Sequence, residues 1–431
     1  MRYMMTIFRR MALVSLAALL VTVIFSSAGY CAENSRDAGK PIKIGIIGPM
    51  DMGTGSQLFI TAQMAAEKIN ASGGVKVGNT KRPIELVRVN SNEFRKVSDA
   101  VAAAERAITA DKVNFLIGGV VPEAISAMQD IAADTKTIYI STSTIISSAH
   151  VERMEKNYNR YKYCFVVASL HPADIVKVHL GIMDVVSKAI RQKGVDKVKV
   201  AQMVHKTADG DRIIAATSQI LPKMGMEVVG SWRPSPSASD LRAETAAIRA
   251  SGPNMIYTVF SGAGGVIFGK QLAELKIPAI VAGSPATPGL PGQGIEYSVA
   301  MMSAATVRVK ITDENIAWYD EFLKRSKGQV NSMSTYDAIM GLAASIEKVG
   351  SLDANALVKA MESEEYSGIV GVKKYDPKDH RTVFLKGYRA VYGIQQLPNY
   401  KYAVVWPTDA AVKAQPVQIP QWMIDAWKKA K

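Results

Sequence analysis

The chain has little cysteine, and its stability cannot depend on a network of disulfide bonds. Only Cys31 and Cys164 occur among 431 residues, which excludes the disulfide framework of small secreted domains. We predict that Cys164 is a buried apolar residue in a strand, with a Cys31–Cys164 disulfide bridge as the alternative. Lipid modification of Cys31 is disfavoured, because Tyr30 precedes it where a lipidation site has Gly or Ala.

Long apolar runs are also absent from the sequence, apart from one near the amino terminus. Met11–Phe25 is apolar, follows three arginines and precedes the small residues Ser26–Ala28. The run is short for a bilayer span, which takes about 20 residues, and the arrangement is typical of a secretory signal. We therefore predict a cleaved signal peptide over residues 1–28 and a periplasmic location, with a membrane anchor as the alternative.

Catalytic and cofactor-binding patterns are missing as well. The five histidines show no metal-type pairing with an acid, and neither a Gly-x-Ser-x-Gly elbow nor a Walker loop occurs. The glycine spacing of Gly48–Gly55 departs from the dinucleotide pattern, and no acid ends the following strand at Val89–Asn90. We expect a protein that is not an enzyme and has no cofactor or metal; a nucleotide-dependent α/β enzyme is the weaker alternative.

Acidic residues are in deficit, so the formal net charge is +14. A basic balance suits nucleic acid, an anionic ligand or an anionic membrane surface. Lys and Arg are scattered, however, with no dense run and no zinc or aromatic nucleic-acid motif. We therefore expect no nucleic-acid partner.

What the chain has is a repeated alternation of short β-branched runs and helical patterns. The first half predicts strands at Ile42–Ile47, Ile84–Asn90, Phe115–Gly118 and Thr137–Ser141 and helices at Gln57–Asn70, Val97–Ala110 and Glu123–Asp134. The pattern restarts with strands at Tyr163–Ala168, Lys199–Val204, Met226–Ser231 and Met255–Val259 and helices at Asp174–Lys193, Arg212–Met224 and Asp240–Ala250. Such alternation predicts parallel sheets covered by helices, and the length predicts two lobes.

The last third predicts a breaker-rich loop, three helices, a strand pair and a tail. The loop follows Gly283, and the helices and strands are at Glu314–Arg325, Tyr336–Val349, Ala354–Ser363, Phe384–Ile394 and Lys401–Pro407. The tail, residues 410–431, is predicted to be a surface arm, with a partner-binding helix as the alternative.

Several segments, each weak alone, occur together in a specific order between Pro41 and Pro407. They read IKIGIIGPMDMGTGSQ, AAEKINASGGV, VNFLIGGVVPEAISAMQDIA, YISTST, TADGDR, YTVFSGAGG and YDAIMGLAASIEKVGSLDANALVKAM. In this order they resemble the type I periplasmic solute-binding proteins of branched-chain amino acid (leucine/isoleucine/valine) ABC transporters.

The resemblance implies two doubly wound Rossmann-like lobes joined by three hinge crossovers. Lobe one would hold residues 41–167 and 284–383, and lobe two residues 168–283 and 384–409. The implied function is the extracytoplasmic substrate-binding component of an ABC transporter, which captures a small solute by lobe closure and docks on a membrane permease. A ligand-sensing domain that acts through a separate membrane receptor is the alternative.

The candidate site in lobe one lies where strands end, since ligands of open α/β sheets bind outside the carboxyl ends of strands. Helix N-termini there favour an anionic group, and hydroxyls can both donate and accept hydrogen bonds. The candidate residues lie in the turns 52–57, 118–123 and 141–145, and they are Thr54, Gly55, Gly119, Pro122, Glu123, Ser141, Thr142, Ser143 and Ile145.

The candidates in lobe two follow its strands in the same way: Asp209, Phe260, Ser261, Gly262 and Ser284. Asp209 is expected to bind an ammonium or another donor, or to cap the helix near Arg212, and Phe260 is expected to be a packing surface.

The site departs from the family pattern at several positions. Relatives that grip an α-amino acid would have hydroxyl residues at Pro122 and Ile145, an aromatic residue at Asp209 and a carboxylate near Ser284. The ligand therefore stays open among amino acids, amides, short organic acids and aromatic acids.

Overall fold

The structure is a computed structural model. It describes residues 39–143, 148–167, 172–235, 238–260, 262–285, 295–302, 306–327, 334–369, 371–383, 391–408 and 413–430, without the side chains of 148, 172, 173, 208, 209, 262–264, 266, 285 and 313. The predicted signal peptide, Cys31, Ile145 and Ser261 lie outside these residues, as does the side chain of Asp209.

A five-stranded parallel sheet organises the first unit. In chain order its elements are β1 (Ile42–Gly48), α1 (Gly53–Ala71), β2 (Val75–Val77), β3 (Thr80–Arg82), β4 (Ile84–Asn90), α2 (Val97–Thr109), β5 (Phe115–Gly118), α3 (Pro122–Thr135), β6 (Ile138–Ser141), α4 (Ser148–Lys156), α5 (Tyr158–Tyr161) and β7 (Cys164–Val166). The strand order is β4-β1-β5-β6-β7, while β2 and β3 form a separate hairpin.

A seven-stranded sheet organises the second unit. Its first part consists of α6 (Pro172–Arg191), β8 (Val198–Val204), α7 (Ala208–Lys223), β9 (Met226–Trp232), α8 (Arg242–Ala250), β10 (Met255–Phe260), α9 (Gly262–Leu275), β11 (Ile280–Pro285) and β12 (Val299–Met302). These five strands pair in parallel, in the order β12-β11-β10-β8-β9.

The rest of the chain returns to the first unit and then completes the second. Its elements are α10 (Asp313–Arg325), α11 (Ser334–Val349), α12 (Ala354–Ser363), β13 (Glu365–Gly368), β14 (Gly371–Lys374), β15 (Tyr392–Leu397), β16 (Lys401–Trp406) and α13 (Gln421–Lys429). Helices α10 and α11 pack on α1, whereas β15 and β16 add an antiparallel edge to the second sheet.

Both sheets are covered on both faces, as their strand sequences require. In β1, Ile44 and Ile46 enter the core beneath α1 and α11, whereas Ile47 enters the core beneath α2 and α3. Helix α2 buries only alanines, Ala100, Ala103, Ala104 and Ala107, and small side chains let a helix lie close to its sheet. The predicted α/β class with two parallel-sheet units is confirmed.

The chain passes between the two units three times, between residues 167 and 172, 302 and 306, and 383 and 391. Beside two of these passages, Arg381 bridges to the edge strand β7 at Val166. The Arg381 guanidinium also lies 3.4 Å from the Asp174 carboxylate of α6. This ion pair joins the two units next to the passages.

The pairing of β12 differs from the predicted lobe bounds. Val299–Met302 pairs with β11 and β15 in the second sheet, although residues 284–383 were assigned to the first lobe. By strand pairing the second unit therefore extends beyond the breaker-rich loop, while Ala300 and Met302 of β12 also pack in the core that contains the first sheet.

The carboxyl-terminal tail also differs from a plain surface arm. Helix α13 buries Met423, Ile424 and Trp427 in the core of the second unit. The Trp427 indole N–H donates to the Pro278 carbonyl at 2.5 Å. A buried aromatic residue with its one donor satisfied is an anchor, so α13 is part of the second unit.

Candidate functional site

The carboxyl ends of β1, β5 and β6 lie side by side in the first sheet. The strand register places Ile47 beside Gly118, and Gly118 beside Ser141. The predicted turns of lobe one therefore meet at one edge of the sheet, as expected for a parallel arrangement.

The turn between β1 and α1 leaves its helix end uncapped. Among the described residues no side chain caps α1 at Met52, and its first turn carries no acid. Thr54 is half-buried, and a Cβ on Gly55 would lie 2.2 Å from the Pro49 carbonyl oxygen, so only glycine fits there. The first N–H groups of a helix without a cap are suited to an anionic ligand.

The turn between β5 and α3 is different, because a buried carboxylate already occupies it. Glu93 accepts hydrogen bonds from the backbone N–H groups of Val120 (3.0 Å) and Val121 (2.8 Å) and from the Ser91 hydroxyl (3.0 Å). Pro122 has no N–H to offer. The predicted anion site at 118–123 is therefore largely satisfied from within the protein.

The candidates within that turn take structural positions. Gly119 has φ +91°, and a Cβ there would lie 2.6 Å from the Tyr139 hydroxyl, so the close approach of β6 requires glycine. Pro122 is the first residue of α3, and Glu123 is an exposed acid in its first turn, where negative charge favours the helix.

The hydroxyl cluster after β6 contains one unsatisfied side chain. Ser141 and Thr142 are both buried, and within the described chain the Thr142 Oγ1 has no hydrogen-bond partner. Ser143 donates to the Val120 carbonyl at 3.1 Å. Since buried hydroxyls are nearly always hydrogen-bonded, Thr142 is the group of this edge that most clearly awaits a partner.

In the second unit, Thr207 and not Asp209 caps the helix after β8. The Thr207 hydroxyl accepts from the Gly210 N–H at 3.1 Å, and α7 begins at Ala208, so Asp209 lies inside the first turn. The expected capping role of Asp209 near Arg212 is corrected for this reason. The turn is held by Arg233, which donates to the Val204 carbonyl at 3.0 Å and pairs with Asp211 at 2.5 Å.

Phe260 is a core residue in this structure. It is 1 % exposed, with its ring centroid 6.1 Å from that of Phe268 and 6.3 Å from that of His205. Gly262 is the first residue of α9. The expectation that Phe260 presents a packing surface to a ligand is not met, because the start of α9 places it beneath the helix.

Ser284 is the last residue but one of β11, lies beside Val259 of β10 and is half-buried. Its Oγ lies 2.9 Å from the Nε2 of His179 in α6, and the His179 Nδ1 lies 2.9 Å from the Tyr257 hydroxyl. Burial lowers the pKa of His179 to about 3, so the imidazole is neutral at ordinary pH.

Sequence reasoning missed three of these functional candidates, Glu93, His179 and Tyr257. Glu93 lies three residues after the end of β4, and a search for an acid directly at the strand end overlooks it. His179 and Tyr257 carry no local signal, because the residues they contact are 78 and 105 positions away in the chain.

One cavity lies away from the carboxyl ends of the strands. It is a groove of about 510 Å³ lined by residues of α9, the start of β11 and α13, among them Leu272, Lys276, Val281, Trp422 and Met423. The described residues contain no cluster of three or more His, Cys, Asp or Glu that could hold a metal. None of the described helices combines the length and apolar character needed to cross a bilayer.

Two sheet units with polar strand ends define a protein of the periplasmic binding class. The model of the periplasmic binding protein family matches residues 41–393, and the chain belongs to this family. The predicted resemblance is confirmed.

Similar proteins agree with this assignment. The chain is 23 % identical over 357 residues to Leu/Ile/Val-binding protein homolog 3 of Brucella melitensis. The aligned region covers 80 % of this chain and 87 % of that protein. A putative branched-chain amino acid ABC transporter structure from Silicibacter pomeroyi has a TM-score of 0.70 at 20 % identity and covers 89 % of this chain and 100 % of that one.

A third similar structure was solved with a ligand. It is an ABC transporter solute-binding protein from R. palustris in complex with benzoate, with a TM-score of 0.58 at 20 % identity, covering 88 % of this chain and 98 % of that one. At such identities the likeness of the solved structures shows the fold.

Proposed function

We propose that the chain is the substrate-binding component of an ABC transporter and captures a small solute between its two units. The observation that supports this proposal is that a member of this family has unsatisfied polar groups at the ends of its strands. At the strand ends of the first unit lie an uncapped helix and an unsatisfied hydroxyl, while Ser284 is the last residue but one of β11 in the second unit. Polar groups at the carboxyl ends of parallel strands suit binding of a ligand.

The mechanism proposed is hinge closure about the three passages. Closure around a ligand is the established movement of periplasmic binding proteins, and contacts from both units stabilise the closed form. The Arg381–Asp174 pair at 3.4 Å lies beside two passages and would keep the units in register while they rotate. The closed surface would then dock on a membrane permease.

The proposed ligand is an amino acid, an amide or a small organic acid. The relatives support this range, because one is named a Leu/Ile/Val-binding protein homolog and another was solved with benzoate. In this chain an anionic group would meet the N-terminus of α1, since Glu93 occupies that of α3. Carboxylates at helix N-termini are stabilised by the free N–H groups and the helix dipole.

The proposed contacts come from both units. They are Thr54, Gly55, Ser141, Thr142 and Ser143 on the first and Asp209 and Ser284 on the second. Export by the amino-terminal signal, residues 1–28, would place the protein in the periplasm, where the family acts.

The test is a thermal-shift screen of the purified mature protein against amino acids, amides, short organic acids and aromatic acids. A ligand that binds only the folded state raises the melting temperature by mass action. We expect a hit in one class, recovery of the ligand unchanged, and no turnover. No shift across the four classes, or product formation, would refute the proposal.

Thr142→Val is the diagnostic variant. Removing a ligand-facing hydroxyl is expected to weaken binding of the hit about tenfold, since one hydrogen bond contributes about 0.5–1.5 kcal/mol. The matched control is Thr137→Val, a buried threonine just before the opposite end of β6, which should bind normally. Equal affinities of the two variants in calorimetry would remove Thr142 from the site.

A further inference from the structure

A buried hydrogen-bond chain in the second unit links the core to the carboxyl end of β11. It runs from the Tyr257 hydroxyl to His179 Nδ1 and from His179 Nε2 to Ser284 Oγ, with both distances 2.9 Å. Tyr257 and His179 are both fully buried, whereas Ser284 is half-buried at the end of β11. Ser284 is thus the outer end of the chain.

The histidine must be neutral, so one ring nitrogen donates and the other accepts. Burial keeps its pKa at about 3. The ring of Tyr257 stands edge-on to the imidazole at 5.5 Å between centroids, and burial also raises the pKa of Tyr257. The phenol therefore keeps its proton and needs an acceptor.

The acceptor of that proton fixes the tautomer of His179. Within the described part of the chain, the one hydrogen bond of the Tyr257 hydroxyl is the one to His179 Nδ1. Leaving a buried O–H without an acceptor is strongly unfavourable, so Tyr257 donates and Nδ1 accepts. The imidazole proton then lies on Nε2, and Nε2–H donates to the Ser284 oxygen.

Backbone geometry fixes which face of β11 carries the Ser284 side chain. Gly283 has φ +120°, and a Cβ there would lie 2.4 Å from the Thr258 carbonyl oxygen. This left-handed conformation bends the end of β11 in a way that a residue with a side chain rarely allows. Alternation along β11 then places Ser284 on the α6 face, with Ala282.

We propose that His179 and Tyr257 fix Ser284 as a hydrogen-bond donor in the ligand cleft, so that the ligand presents an oxygen acceptor, such as a carboxylate, to this edge and not an ammonium. Because Ser284 Oγ receives Nε2–H, its own hydrogen points away from His179 and is free for a ligand. This inference rests on the proposed function. Ser284 would contact the ligand; His179 and Tyr257 are positioning residues.

The first experiment measures the tautomer without any ligand. Imidazole ¹⁵N shifts of histidine-labelled protein, with His179 assigned by its loss in His179→Gln, should show the proton on Nε2 from pH 8 to pH 5. Tyr257→Phe should yield a mixture of tautomers, because no donor then fixes Nδ1 as the acceptor. A proton on Nδ1, or a charged ring, in the unmodified protein would overturn the inference.

The second experiment measures ligand selectivity with named probes, benzoate and benzylamine. Ser284→Ala should weaken benzoate about tenfold, as expected for one hydrogen bond to a charged acceptor, and leave benzylamine unchanged. Ser284→Asp should reverse the preference between the two probes. A gain of benzoate affinity in Ser284→Asp would overturn the inference.

The outcomes separate this inference from the proposed function. If Nε2 carries the proton and neither the four-class screen nor either probe raises the melting temperature, the proposed function fails while the hydrogen-bond chain stands. If carboxylates bind and Ser284→Ala binds them normally, the function stands and this inference fails. His179→Gln, which keeps a donor for Ser284, should retain more benzoate affinity than His179→Phe, an effect that a purely structural role would not give.

Discussion

Replacing Glu93 by Gln should destabilise the protein far more than replacing Glu123, the acid in the first turn of α3. Glu93 is 3 % exposed, and its carboxylate receives three hydrogen bonds at 2.8–3.0 Å at the N-terminus of α3. Glutamine has the same shape and can still accept from the two backbone N–H groups, so the variant removes charge and little else.

The magnitude follows from that difference. Hydrogen bonds to a charged group contribute about 1.5–3 kcal/mol and neutral ones about 0.5–1.5 kcal/mol, so the two N–H bonds together lose roughly 2 kcal/mol. The favourable position at a helix N-terminus is part of the same interaction. Glu93→Ala should cost more, about 3 kcal/mol, because buried N–H groups and the Ser91 hydroxyl lose their partner.

The assay is urea unfolding followed by circular dichroism, with the midpoint compared at unchanged slope. Glu123→Gln is the control, since Glu123 lies in the first turn of α3 but is exposed, and its loss should be within about 0.5 kcal/mol. Equal losses in the Glu93 and Glu123 variants would refute the reasoning that burial makes Glu93 the internal anion of α3.

Three further perturbations test other parts of the fold. Trp427→Ala should lower the free energy of unfolding, measured by urea unfolding, by about 3–5 kcal/mol, because a buried indole is lost. Trp422→Ala is the control: this residue is 45 % exposed, and its loss should cost under about 1 kcal/mol. Similar losses in the two variants would contradict an anchoring role of α13. Lys373→Met should cost about 3–5 kcal/mol by leaving Asp337 buried without its cation, which lies 3.5 Å away, and adding Asp337→Leu should restore most of that stability; a double variant as weak as the single one would contradict this. Burial lowers the pKa of His150 from 6.5 to about 4, so the unfolded chain binds the proton more readily. The free energy of unfolding should therefore fall as the pH drops from 6.5 to 4, by up to about 1.4 kcal/mol per pH unit. His150→Gln should reduce the pH dependence of the melting temperature across this range, and an unchanged pH dependence would contradict this.

Local patterns were sufficient for most of the fold. Ile84–Asn90 and Phe115–Gly118 are strands with the predicted bounds, and Ala354–Ser363 is a helix with the predicted bounds. Each combines apolar periodicity with turn residues at its ends, and this information is local to the segment. The alternation of strand and helix then determines the parallel sheets.

The elements that were missed lack such local signals. Helix α9, Gly262–Leu275, begins with glycines and was not predicted, because glycine disfavours helix in isolation. The packing of α9 over Phe260 overrides that preference. Strand β12 is a four-residue strand beyond a breaker-rich loop, so its sheet could not be inferred from sequence order.

The position of the candidate site could be predicted from the sequence, but the groups that it offers to a ligand could not. Parallel strands bring their carboxyl ends to one edge whatever the side chains are, so the turns at Thr54, Thr142 and Ser284 could be named. What each turn can bind depends on tertiary partners. Glu93 lies 27 and 28 residues from the amides it accepts from, and His179 lies 105 residues from Ser284.

The helix ends of the two units differ in a way that locates the binding edge. The end of α3 is satisfied by Glu93 and that of α7 by Thr207, while in the described chain α1 has no capping side chain and Thr142 no partner. A missing cap and a buried unpaired hydroxyl each cost the free protein about 1 kcal/mol or more. A hydrogen-bond acceptor of the ligand at that edge would satisfy both groups and recover both free-energy costs. The ends of α3 and α7 already have acceptors within the protein, so a ligand would recover no such cost there. A hydrogen-bond acceptor of the ligand is therefore expected between α1 and β6, in addition to the acceptor that Ser284 would receive in the second unit.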